Sequence, residues 1–194
     1  GVAYVAKDLL NNPGAATFLF VAFVGPAIVV TPLWERYART RSKRSGYYMS
    51  SGFLIAGMLL LTTVYFGPSP LVYVAAAIIG IGYAGTQSFP MAMLPDVAAH
   101  DAETSGENRV GVFTGIWTAG ETAGFAMGPG LFALILAFGG YQSTTAEKIV
   151  GQSDSALTAM ALGFSLIPAV LVVASLFFLG RYRLDQTLAG VHHD

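Results

Sequence analysis

The chain alternates long apolar runs with short polar punctuation. Five runs, residues 15–34, 46–66, 70–94, 110–138 and 156–179, reach the roughly 20 apolar residues needed to cross a bilayer core. Four of them contain no Asp, Glu, Lys or Arg; the fourth contains one charge, Glu121. The stretches "NNPG", "GPSP" and "GGYQSTTAEKIVGQSDS" separate runs with residues that favour turns. Strands of a membrane barrel would alternate polar and apolar positions over about ten residues. These runs do not alternate, so the pattern predicts helices. The expected fold is an all-α integral membrane protein, a single bundle over 1–194 with about five full transmembrane helices.

Composition strengthens that reading. Of 194 residues, 54% are hydrophobic and 11% charged, against about 25% charged in soluble domains, and mean hydropathy is +0.61. A net charge of −1 offers no basic face, so a nucleic-acid partner is not expected. With no cysteine, disulfides and thiol chemistry are excluded. The chain starts at Gly1, and "GVAYVAKDLL" reads as the end of another helix. A fragment of a larger protein is therefore the expectation.

The basic residues fix an orientation. Arg36, Arg39, Arg41, Lys43, Arg44, Arg109, Arg181 and Arg183 fall on one side of the expected bundle, and only Lys7 and Lys148 on the other. The positive-inside rule makes the first side cytoplasmic, with the C-terminus inside.

Glu121 is the first candidate for chemistry. A charge at a helix centre costs roughly 2.5–3.5 kcal/mol on insertion scales, which the apolar residues of its own run offset. Such a residue is expected to face the bundle interior or a wet cavity, as part of a solute or proton path. The alternative is a hydrogen-bonded packing residue. Around it, Gly120, Gly124 and Gly128, with Gly111 and Gly115 earlier, form narrow stripes that suit close helix packing. Pro129 is expected to kink the run. In the third run, "GIGYAGTQSFP" supplies Tyr83, Thr86, Gln87 and Ser88, which either line a cavity or hydrogen-bond between helices. Trp117 and Thr118 carry the same two readings. Stretch 95–109 reads as a solvated loop with one His among scattered acids, and His192 and His193 as an exposed tail. No Ser-His-Asp set, HExxH or phosphate loop occurs, so neither an enzyme nor a metal centre is expected.

The stretch "MAMLPDVAAHDAETSGENRVGVFTGIWTAGETAGFAMGPGLFALILAFGGY" resembles the segment linking helices ten and eleven of sodium/melibiose-permease-like carriers. Those carriers form the glycoside-pentoside-hexuronide:cation symporter family of the major facilitator superfamily. Asp96, Asp101, Arg109, Gly111 and Gly140-Tyr141 carry the likeness, and "PLWERYARTRSKR" is similar to the cytoplasmic loop between helices eight and nine. The resemblance spans about 15–179. It implies the C-terminal half of a twelve-helix carrier in the plasma (bacterial inner) membrane, working by alternating access against a missing N-terminal half. It also implies symport of a sugar or glycoside with Na⁺ or H⁺, and no other cofactor. The cation ligands would lie in the missing half. In the relatives, the eleventh helix brings polar residues and a lysine to the sugar and cation region. Those positions fall on Trp117, Thr118 and Thr122, with Glu121 next to the place of the absent lysine; a tenth-helix aromatic falls on Gln87. The substrate-binding candidates are thus Glu121, Trp117, Thr118, Gln87 and Tyr83. Two other readings remain open: a carrier of a lipid or other amphiphile, and a non-transporting membrane assembly or receptor subunit.

Overall fold

The computed structural model describes residues 14–66, 69–142 and 151–181. The expectations for Lys7, Lys148, Arg183, His192 and His193 lie outside these residues. The described elements are all helical: α1 Ala15–Thr40, α2 Lys43–Leu61 with a 3-10 extension Thr62–Phe66, α3 Leu71–Ser105, α4 Val110–Phe138, α5 Asp154–Phe164 and α6 Leu166–Leu179. Every expected span is helical. The α1, α3 and α4 helices and the stretch Asp154–Leu179 are each long and apolar enough to cross a membrane; α2, beginning "KRSGYYMSSG", is more polar. Helices suit this setting because each closes its own backbone hydrogen bonds where no water is available.

Two expectations need correction. The stretch after residue 94 is not a loop. With 35 residues, α3 runs on through Pro95 to Ser105, about 52 Å at ~1.5 Å per residue. A hydrocarbon core of ~30 Å accommodates only part of that length, so the end bearing Asp96, His100 and Asp101 continues as helix beyond the apolar zone. It stops at Gly106, whose φ of +73° suits a residue without Cβ, and the Gly106 amide closes the cap on Ala102 O at 3.0 Å. The second correction is that 156–179 is not one helix but two. Ser165 leaves helical geometry (φ −124°, ψ −71°) three residues before Pro168. Proline has no amide hydrogen, and its ring clashes with the carbonyl four residues earlier, here that of Phe164.

The centre of the bundle is α3, with α1 and α2 against it. Their close approach depends on bare backbone: a Cβ on Gly57 would lie 2.8 Å from Ile79 N, and one on Gly80 would collide with the Phe23 carbonyl. Two apolar clusters fill the interface, one around Leu19, Val72 and Met160, the other around Trp34, Phe89 and Met93. Trp34 donates to Ile81 O at 2.9 Å and meets the buried Phe89 edge-on with centroids 5.6 Å apart.

The basic side chains collect at one end. Lys43 Nζ contacts Asp96 Oδ2 at 2.6 Å and donates to Ala92 O at 3.0 Å. Arg44 donates to Gly180 O at 3.1 Å, and Arg109 grips Asp101 through Nε and Nη2 at 3.0 and 2.9 Å. These contacts join the α1–α2 turn, the far end of α3, the start of α4 and the end of α6.

Candidate functional site

Helix α4 is held differently from the others. Arg109 fastens its start to α3. At the other end Leu136 is its one buried residue, Phe132 meets Phe164 edge-on at 6.0 Å, and Ser155 donates to Gly139 O at 3.0 Å. Gln142 and Gln152 complete that end with bonds of 3.1 and 2.8 Å. The helix runs unbroken through Pro129. Between these fastenings lies a cavity of about 550 Å³.

The cavity is built from helical spacing. Residues four apart share a helix face, so Trp117 and Glu121 project together from α4, and Tyr83 and Gln87 from α3. All four line the same cavity, with Thr86 and Pro90 also from α3, Tyr47 from α2 and Val172 from α6. Gln87 Nε2 donates to Tyr83 Oη at 3.3 Å, which orients the amide and the phenol relative to each other. Pro90 lacks an amide hydrogen, so the Thr86 carbonyl loses its usual helical donor. Trp117 Nε1 is buried and has no hydrogen-bond partner among the described residues. Glu121 has neither an ion-pair nor a hydrogen-bond partner among the described residues. One cavity thus holds a buried donor and a half-buried carboxylate, both without a partner among the described residues, and leaving a buried donor unpaired is costly.

The structure places Thr118 elsewhere. Adjacent helical residues point about 100° apart, and Thr118 lies with Thr114, Thr122 and Gly115 along an open face of α4. The glycine stripes also differ from expectation. A Cβ on Gly111, Gly115, Gly120, Gly124 or Gly128 would meet nothing within 4 Å, so among the described residues no helix packs on them. The close-packing glycines are Gly46 and Gly57 of α2, Gly80, Gly82 and Gly85 of α3, and Gly139 and Gly163 where α4 meets α5. Tyr47 and Pro90 were not among the sequence candidates; Tyr47 sits in the polar start of α2, the only hint that its face turns inward.

A second, smaller cavity of about 230 Å³ between α1, α2, α3 and α5 is lined by Leu19, Phe23, Val72, Ile79 and Phe164. These side chains offer no polar group, so they cannot orient a hydrophilic solute.

No curated protein matches the chain. A family model described as MFS/sugar transport protein matches residues 1–186. With several helices long enough to cross a membrane and this family match, the chain is an integral, multi-pass membrane protein of transporter type, and it belongs to the MFS/sugar transport protein family of the major facilitator superfamily.

Proposed function

We propose that the chain is the C-terminal half of a melibiose-permease-like secondary carrier, which moves a sugar or glycoside together with Na⁺ or H⁺ by alternating access. The observation that carries this reading is the α3–α4 cavity, where Tyr83, Gln87, Trp117 and Glu121 converge. Aromatic faces suit the apolar faces of a pyranose, while the amide, the indole N–H and the carboxylate suit its hydroxyls. At about 550 Å³ the cavity is within the range of small-molecule sites, roughly 300–1,000 Å³. Thr118 lies on a separate, open face of α4, which in this reading is left for the other half of the carrier. The clustering of the basic residues at one end supports a cytoplasmic C-terminus; the plasma (bacterial inner) membrane is the location that the family resemblance implies. The coupling cation and its ligands belong, in this reading, to the other half.

The test is uptake by the full-length protein in sealed vesicles, with a panel of radiolabelled glycosides and an imposed Na⁺ or proton gradient. Gradient-dependent uptake that is lost in Trp117→Ala and strongly reduced in Glu121→Gln is the expected result. Uptake indifferent to both substitutions would remove the cavity from the transport path. The apolar cavity beside α1 favours one second reading, a carrier of an amphiphile whose tail it would hold. Movement of a labelled lysolipid without movement of any sugar would decide for it. Normal insertion with no movement of any solute would instead indicate a non-transporting assembly.

A further inference from the structure

The charge inventory of the cavity is one-sided. Among the described residues, Glu121 is its only Asp, Glu, Lys, Arg or His. The described lysines and arginines lie in the 36–44 segment, at Arg109 and at Arg181, none of them in its wall. Other features of the wall reinforce the carboxylate. Tyr47, Tyr83 and Trp117 supply ring faces, whose quadrupoles attract cations. The Thr86 carbonyl, released by Pro90, adds an acceptor. Opposed to these are only neutral donors: the Trp117 indole N–H, the Tyr47 and Tyr83 hydroxyls, and the Gln87 amide, the last already engaged with Tyr83. A cavity framed by membrane-embedded helices screens charge poorly, so an unpaired carboxylate acts on anything that enters.

We infer that the cavity selects its solute by charge. Glu121 rejects solutes bearing a carboxylate or phosphate and favours those bearing a protonated amine, which pairs with Glu121 beside the Trp117 and Tyr83 rings. Trp117 Nε1 then donates to a hydroxyl or ether oxygen of the same solute. An amino sugar presents both groups, so it is the solute class that uses the whole wall. This identification of the solute rests on the reading of the cavity as the solute site; the charge rule itself can be tested without any sugar.

The 194 residues contain no cysteine, so Thr86→Cys places a thiol at a known point in the wall. In the full-length protein in membranes, with the unsubstituted parent as background, that thiol is labelled by three methanethiosulfonates: aminoethyl, sulfonatoethyl and methyl. Each rate is divided by the rate with free mercaptoethanol. The aminoethyl reagent is expected to exceed the sulfonatoethyl reagent by about tenfold after this correction. Glu121→Gln is expected to bring the two within about twofold, while Glu121→Asp keeps the preference. The neutral methyl reagent reports in each variant that the cavity is intact. A corrected ratio near one in Glu121, or a ratio unchanged by Glu121→Gln, overturns the proposal. A parallel uptake series compares methyl glucoside, its 2-amino analogue and the corresponding glucuronide, expected to run amine first and acid last. Labelling preference without uptake of any of the three upholds the charge rule and overturns the sugar reading. Uptake of the glucuronide as fast as the neutral glycoside overturns the charge rule while sparing the sugar reading.

Discussion

Gly82→Ala adds one methyl group at the tightest kind of contact in the bundle. The new Cβ would stand 2.7 Å from Leu54 Cα and 2.7 Å from Ser50 O. Non-bonded carbons settle at about 3.5–4.0 Å, so α2 and α3 must part by about 1 Å. The obstructing atoms are backbone and cannot rotate aside. Overpacking of this kind costs about 1–3 kcal/mol, and the better helix propensity of alanine returns up to about 1 kcal/mol. With backbone as the obstruction the cost falls at the upper end, so the net loss is about 2 kcal/mol, which lowers the melting temperature by about 4–8 °C in a domain of this size. The assay is thermal unfolding of the purified protein in detergent, followed by tryptophan fluorescence. Gly52→Ala is the control: it is also in α2, but its Cβ would meet nothing within 4 Å, so it should melt at or above the wild-type temperature. If Gly82→Ala melts with the wild type, or if both variants fall together, the close approach of α2 and α3 is not what holds them.

Two further predictions concern the charged end. Asp96→Asn deprives the half-buried Lys43 of its carboxylate at 2.6 Å and should cost about 1–2 kcal/mol in the same melt; adding Lys43→Met should recover part of it, since no unpaired buried charge is then left. Gly106→Ala forces a side chain into φ +73° at a cost of about 1–2 kcal/mol, read as faster amide exchange confined to the last turn of α3.

Much of the fold is legible in the sequence because hydrocarbon imposes a length, and runs of the right length are easy to see. What escapes is whatever hydropathy does not register. Pro168 sits in the apolar run "LIPAVLVV", so a hydropathy reading passes over the break it produces at Ser165. The polar residues from Asp96 to Ser105 read as a loop because charge and Pro95 suggest one, although a helix emerging from the apolar zone needs no hydrophobic face. In the site, the i, i+4 pairs Tyr83–Gln87 and Trp117–Glu121 could be paired by spacing alone. The same spacing separates Thr118 from Trp117. Which face of α2 turns inward, and hence the place of Tyr47, depends on packing against α3 that no local pattern encodes. The α4 glycines show the converse: a small-residue stripe is visible in sequence, but its partner is not.

The manner in which α4 is fastened bears on how the cavity can change in size. One wall of the cavity is a beam anchored at Arg109–Asp101 and at the Phe132–Phe164 and Ser155–Gly139 contacts, with no packed core behind its middle among the described residues. Among the described residues, these fastenings are made by side chains outside the cavity wall. Substitutions at the anchors can widen or narrow the cavity while Tyr83, Gln87, Trp117 and Glu121 keep their identities. A lineage, or an engineer, can thus retune the size of the cavity separately from the chemistry of its wall.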